Sequence, residues 1–307
     1  MYGGTIYIYD GADLQGKYLS DAAPTATIDL AGATAALCLE KTGANPVRPH
    51  MLLFNMAHSH ALLAFVTSGH VVIFDAATRA PVDCLRMSVG AGDARQAHAA
   101  FPAPDDTYIL VANQNGKLLE RLDVDYTTNT YTLNPAATLN LATCTTPNGV
   151  ACQVDGVRPD TAPICPIIDA SGRLGFITLR GGGLFVVDPT RTPMTIVAEY
   201  DMSTVHGNGC GGSEVRRHMY LNSGGGTATN LAEFDVYKFP LSGYSPANPP
   251  NTPAPRLLFS DDSAEADRDA HGMVATKHGR YLWVGDRHNS TVEVFSVASG
   301  RGSTPSI

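Results

Sequence analysis

One short unit recurs along the chain, and it limits the possible folds more than any other feature. In its last copy, Met273-Val274-Ala275-Thr276 leads into the turn Lys277-His278-Gly279-Arg280, then Tyr281-Leu282-Trp283-Val284, then Thr291 to Val297. Alternating apolar and polar residues between tight turns read as antiparallel strands with one buried face each. The final strand has counterparts in Thr5-Ile6-Tyr7-Ile8-Tyr9, His70-Val71-Val72-Ile73-Phe74 and Leu184-Phe185-Val186-Val187, with weaker ones at Lys117 to Asp123 and Leu231 to Val236. Another strand precedes each: Ala61 to Val66, Tyr108 to Ala112, Leu174 to Thr178, or His218 to Asn222.

Self-similarity at a period of roughly 45–65 residues, with about four strands per unit, is the signature of a β-propeller, whose radial blades protect their edge strands. The expected fold is therefore all-β, a propeller of four-stranded blades forming a single domain over residues 1–307. Seven blades are expected and six are possible, with the chain clipped at its termini, because only Gly300 to Ile307 follow the last recognisable strand. A β-sandwich is the alternative, but it does not explain the repeated order. With 30 glycines, 20 prolines and only 16% charged residues, the composition suits many short strands and turns.

A formal net charge of −8 and scattered lysines and arginines argue against nucleic acid as a partner. No apolar run reaches the roughly 18–20 residues of a membrane helix. A monomer acting on a small molecule is expected. The six cysteines contain no C-x-x-C pair. Cys144 and Cys152 bracket a turn-rich loop that a disulfide would staple, whereas Cys38, Cys84, Cys165 and Cys210 either form two further pairs or serve as small buried hydrophobes. Disulfide pairing implies a periplasmic or secreted protein, although residues 1–7 read as a strand and not as a signal peptide. A cytoplasmic location is the other possibility.

Aligning the units reveals a recurring histidine. Arg95-Gln96-Ala97-His98 stands ten residues before Tyr108, and Arg268-Asp269-Ala270-His271 ten before Tyr281. His50 precedes Leu62 by twelve, and Asp160 and His206 precede Leu174 and Tyr220 by fourteen. His50, His98, Asp160, His206 and His271 are thus expected at the start of each first strand, where blades converge on the propeller axis. Imidazoles and a carboxylate around one centre suit a transition metal, with Cu or Fe favoured and Mn or Zn as alternatives. Arg48, Arg95, Arg158, Arg268 and Asp269 are expected to support the ligands or bind an anionic substrate. The bland reading is that the repeats share these histidines by common ancestry and use them in packing. No catalytic residue is assigned. Gly207-Asn208-Gly209-Cys210-Gly211-Gly212 fits a dinucleotide fingerprint in letters only, because a strand and not a helix follows.

With His271-Gly272-Met273, Gly279-Arg280-Tyr281-Leu282-Trp283-Val284 and the repeated Val-Val-Ile-Phe-Asp-type strands, the chain resembles the YVTN or lactonase-like seven-bladed propellers. The resemblance implies a fold shared with propellers that hold Fe, Cu or Mn. The expected function is a metal-dependent oxidoreductase acting on a small molecule. A lyase or lactonase-type hydrolase is one alternative, and a non-catalytic extracytoplasmic scaffold for protein or glycan binding is another.

Overall fold

The computed structural model describes residues 3–15, 22–225, 233–245, 247, 252–261 and 268–297. Within them the chain forms a series of antiparallel sheets, each built from consecutive strands. A two-stranded ribbon of β1 (Thr5–Ile8) and β2 (Ala26–Asp29) leads through a short helix, α1 (Ala35–Thr42). The first four-stranded sheet is β3 (Pro49–Phe54), β4 (His60–Phe65), β5 (His70–Asp75) and β6 (Pro81–Arg86). The second contains β7 (Ala97–Pro102), β8 (Tyr108–Asn113), β9 (Leu118–Asp125) and β10 (Thr130–Leu133), with β11 (Leu139–Asn140) also on β9. The third runs β12 (Pro163–Ile168), β13 (Gly175–Leu179), β14 (Leu184–Asp188) and β15 (Thr195–Tyr200). The fourth runs β16 (Gly212–Val215), β17 (His218–Ser223), β18 (Phe234–Pro240) and β19 (Arg256–Asp261). The last comprises β20 (Ala270–Ala275), β21 (Tyr281–Asp286) and β22 (Thr291–Ser296).

This is the all-β propeller arrangement that the repeats predict. Of the expected strand from Leu231, the first two residues lie outside the described ones, as do residues 298–307. The apolar core sits between successive sheets and not inside any one of them. Leu62, Val71, Ile109 and Leu122 join the first sheet to the second, and Leu110, Leu119, Ile177 and Phe185 join the second to the third. Val236, Phe234, Leu282 and Val284 join the fourth to the last. Sheets sandwiched in this way are buried on both faces, so β4, β8 and β13 are buried along their whole length. Strict alternation survives in β21, where Tyr281 and Trp283 face outward. A continuous apolar run such as Ala61-Leu62-Leu63-Ala64-Phe65 marks an inner sheet, and alternation marks a sheet with one open face.

Three disulfides fasten the arrangement. Cys38–Cys84 ties α1 to the outer strand of the first sheet, and Cys144–Cys152 closes the expected loop. Cys165–Cys210 joins β12 to the segment entering β16. The four cysteines whose pairing the sequence left open are therefore bonded, and they are buried as well. No described helix is long and apolar enough to cross a membrane.

First strands approach one another closely at the axis, and small residues permit it. A Cβ on Gly211 would overlap the backbone nitrogen of Met273 at the start of the last sheet. Gly11, in contrast, has open space around it and no positive φ. Gly211→Ala should cost about 1–3 kcal/mol in denaturant unfolding, the usual penalty for overpacking, whereas Gly11→Ala should leave stability unchanged. Equal midpoints for the two variants would show that the fourth and last sheets do not meet at this point.

Candidate metal centre

The recurring histidines occupy a specific backbone feature. Register slips between Pro49 and Met51, between Ala97 and Ala99, and between Ala270 and Met273. His50, His98 and His271 lie within these irregularities. A bulge turns a side chain out of the regular pleat while the strand on either side keeps its pairing. Here the turned side chains meet. The His50 and His98 ring centroids are 4.4 Å apart, and those of His98 and His271 6.1 Å apart, although His98 and His271 belong to the second and last sheets. Each offers a ring nitrogen within 4.8 Å of the other two.

The backbone fixes which nitrogen faces the centre. His50 Nδ1 lies 3.0 Å from the carbonyl of His98, His98 Nδ1 2.8 Å from that of Ile164, and His271 Nδ1 3.2 Å from that of Asn208. A carbonyl only accepts, so each Nδ1 carries the proton and each Nε2 keeps its lone pair. His271 Nε2 is buried and has no hydrogen-bond partner. An unpaired buried acceptor is costly, and three imidazoles whose ring nitrogens lie within 4.8 Å of one another could hold a transition metal. Burial, followed by the neighbouring His50 and His271, pushes the His98 pKa down to about 3. Burial and then the Arg287 charge push His271 down to about 4. Both rings are neutral at physiological pH, the form a metal requires.

The other two expected ligands stand elsewhere. Asp160 is paired with Lys117 at 3.0 Å and Arg180 at 2.6 Å. Burial opposes its ionisation, but these cationic hydrogen bonds outweigh it and hold the carboxyl below the usual range. His206 Nδ1 donates to Asp235 Oδ2 at 2.7 Å and lies 2.8 Å from Glu233 Oε2. The hydrogen bond to Asp235, reinforced by Glu233, pushes its pKa up to about 10. The residues equivalent to His98 in the third and fourth sheets are instead Ile164 and Cys210, ten before Leu174 and Tyr220. Holding the ten-residue spacing throughout would have found them, and would have related His50 to His60. The Cys165–Cys210 bond thus lies beside the cluster, with a sulfur of each within 4.8 Å of a His98 ring nitrogen.

The expected supporting residues divide. Arg158 is buried, 2.8 Å from Glu199 and over the Phe185 ring. Arg268 bonds Asp261, Glu293 and Asp286 and stacks 4.4 Å over Phe234. Both brace the fold. Asp269 holds Arg287, whose charge reaches His271 and His98. Arg95 packs over Gly69 beside His70, and Arg48, exposed, has no carboxylate partner among the described residues. Sequence reading missed Glu233 and Asp235. Their signal was charge alternating with Phe234 and Val236 on a strand destined for the interior.

No family profile matches the chain, and no curated protein sequence matches it. Solved propellers do match its architecture. A candidate 6-phosphogluconolactonase from Bacteroides uniformis superposes with a TM-score of 0.57 at 11% identity, covering 94% of this chain and 74% of its own. A second, from Bacteroides fragilis, gives 0.56 at 11% identity, covering 84% and 68%. The WD40 domain of Toxoplasma gondii coronin gives 0.59 at 13% identity over 98% of this chain, which spans 64% of that one. The chain is similar to these proteins in fold: a β-propeller of lactonase-like and WD40-like architecture.

Because His98 and His271 are neutral when folded and charge near pH 6.5 when unfolded, the unfolded chain binds more protons below that pH. The stability they contribute is present above pH 6.5 and lost as pH falls towards 3–4. Calorimetry of chelator-treated protein should show a melting temperature that falls steadily from pH 6.5 to pH 4. His98→Asn should flatten that decline. An unchanged slope in the variant would mean that His98 is not buried as a neutral ring.

Proposed function

We propose that this propeller, as one domain over residues 1–307, holds a transition metal at its axis through His50, His98 and His271 and uses it in the oxidation of a small molecule. The observation that carries the reading is the convergence of three histidines from three sheets, each with Nδ1 held by a backbone carbonyl. Three protein ligands leave coordination positions for substrate. Cu or Fe suits the all-imidazole set best, with Mn or Zn as alternatives. The bound metal would supply electron transfer or activation of a coordinated oxygen ligand.

The chain's own residues do the rest. The carbonyls of His98, Ile164 and Asn208 fix the tautomer and direction of each imidazole. Neutral ligands leave the metal's charge uncompensated, and Arg287 adds to it, so an anionic or electron-rich substrate is favoured. A lactonase-type hydrolase is the second reading. The same ligands holding Zn would present a Lewis acid, and the repeated strands resemble YVTN or lactonase-like units. Three disulfides support residence in the periplasm or outside the cell.

The test is metal reconstitution of untagged, chelator-stripped protein. Loaded with Cu(II), it should show an EPR spectrum with imidazole nitrogen couplings that changes when azide is added. His98→Ala and His271→Ala should each weaken Cu(II) binding by at least about tenfold, the loss that removal of an outer partner alone can cause. Unchanged affinity in both variants would reject the ligand set. A spectrum indifferent to azide would reject an open position and favour a scaffold.

A further inference from the structure

His206 does not join the other histidines, and the cluster it belongs to has its own unmet demand. Its Nδ1 lies 2.7 Å from Asp235 Oδ2 and 2.8 Å from Glu233 Oε2. Asp235 is fully buried and Glu233 is 2% exposed. Neither carboxylate has a lysine or arginine partner among the described residues. This contrasts with Asp160, Asp269, Asp286 and Glu199, all of which do.

Hydrogen bonding leaves two oxygens over. One Nδ1 proton serves Asp235 Oδ2, which also accepts from the Tyr237 hydroxyl at 2.9 Å. Asp235 Oδ1 and Glu233 Oε2 are buried with no hydrogen-bond partner. Two buried carboxylates facing one imidazole carry a net negative charge even with the ring protonated. Isolated buried charge of that kind is expensive and is ordinarily paired or coordinated to metal. One ring nitrogen and two carboxylate oxygens, all within 4.8 Å of one another, form a compact set of cation ligands.

The backbone positions these groups firmly. The His206 amide donates to the Tyr237 oxygen at 3.2 Å, so one phenol holds both the histidine's backbone and the Asp235 carboxylate. Glu233 forms a parallel bridge to Asp269, and its carbonyl accepts from the Ala270 amide. The cluster is therefore anchored to the fourth and last sheets, and its bridge partner Asp269 stands two residues before His271. It shares no ligand with the three converging histidines.

We propose that His206, Glu233 and Asp235 form a second, separate cation site, which takes a divalent ion of the Mn2+ or Zn2+ type. Mixed imidazole and carboxylate donors suit those ions, whereas Cu and Fe suit the imidazole-only set. On binding, the ion displaces the His206 Nδ1 proton to solvent, neutralises the buried carboxylates and uses the oxygens that hydrogen bonding leaves free. His206, about one third exposed, provides the way in.

Elemental analysis and Mn2+ EPR titration of the chelator-stripped full chain test this site apart from the first. The wild-type chain should bind one ion more than Asp235→Asn. His98→Gln/His271→Gln should retain the Mn2+ site, and Asp235→Asn should lose it. Because Asp235 is buried, His206→Gln is the second variant, altering a partly exposed side chain and weakening Mn2+ binding at least tenfold. Mn2+ binding that is unaffected by both Asp235→Asn and His206→Gln would overturn the proposal. So would its loss in the folded His98→Gln/His271→Gln variant, which would leave one shared site. If the Mn2+ site persists and no Cu(II) binds the other histidines, the function proposed above fails and this site stands.

Discussion

The arrangement depends on the meeting of first strands at the axis. Each sheet lays β3, β7, β12, β16 or β20 inward, and the irregular register at the start of β3, β7, β12 and β20 frees carbonyl groups from the ladder. A buried carbonyl left without a donor is costly, so something must reach across from the neighbouring sheet. His50 and His98 do this for the sheet that follows, and His271 for the sheet before it. Each imidazole thus satisfies the backbone of its neighbour. The same hydrogen bond fixes the direction of its other nitrogen. Sheet packing and imidazole orientation are one interaction viewed from its two ends.

The fold was legible because the sheets are local. Consecutive runs pair with each other, so strand order, hairpins and the radial core follow from turns such as Lys277-His278-Gly279-Arg280 and from runs such as Leu184 to Val187. Burial was less legible. The alternation of β21 and β22 reads as one buried face, but Ala61 to Phe65 and Tyr108 to Ala112 lack it because their sheets are covered on both sides. Only stacking, which is not local, determines that difference.

At the site, the constant spacing of ten residues to the second strand located His98 and His271, and it is also the true spacing from His50 to His60. Asp160 and His206 lay fourteen residues from their anchors. The extra four residues carry both positions back beyond the start of β12 and β16. Both side chains consequently fall before the first strand begins, where Asp160 meets Lys117 and Arg180 and His206 meets Glu233 and Asp235. The acidic partners lie 27 and 29 residues further on, just before and within the start of the third strand of the same sheet. No spacing rule within a single unit reaches them.

Where two sheets lack the histidine, a disulfide lies beside the position. Cys165 follows Ile164, whose carbonyl holds His98, and the Cys210 amide donates to the His271 carbonyl at 3.0 Å. The Cys165–Cys210 bond therefore joins the support of one imidazole to the support of another. The apolar contacts between sheets tolerate sliding more readily than a cross-link does. Imidazoles held within hydrogen-bond distance of fixed carbonyls need their supports to keep a constant separation. The disulfide meets that need at the axis, beside the two sheets that carry no histidine at this position.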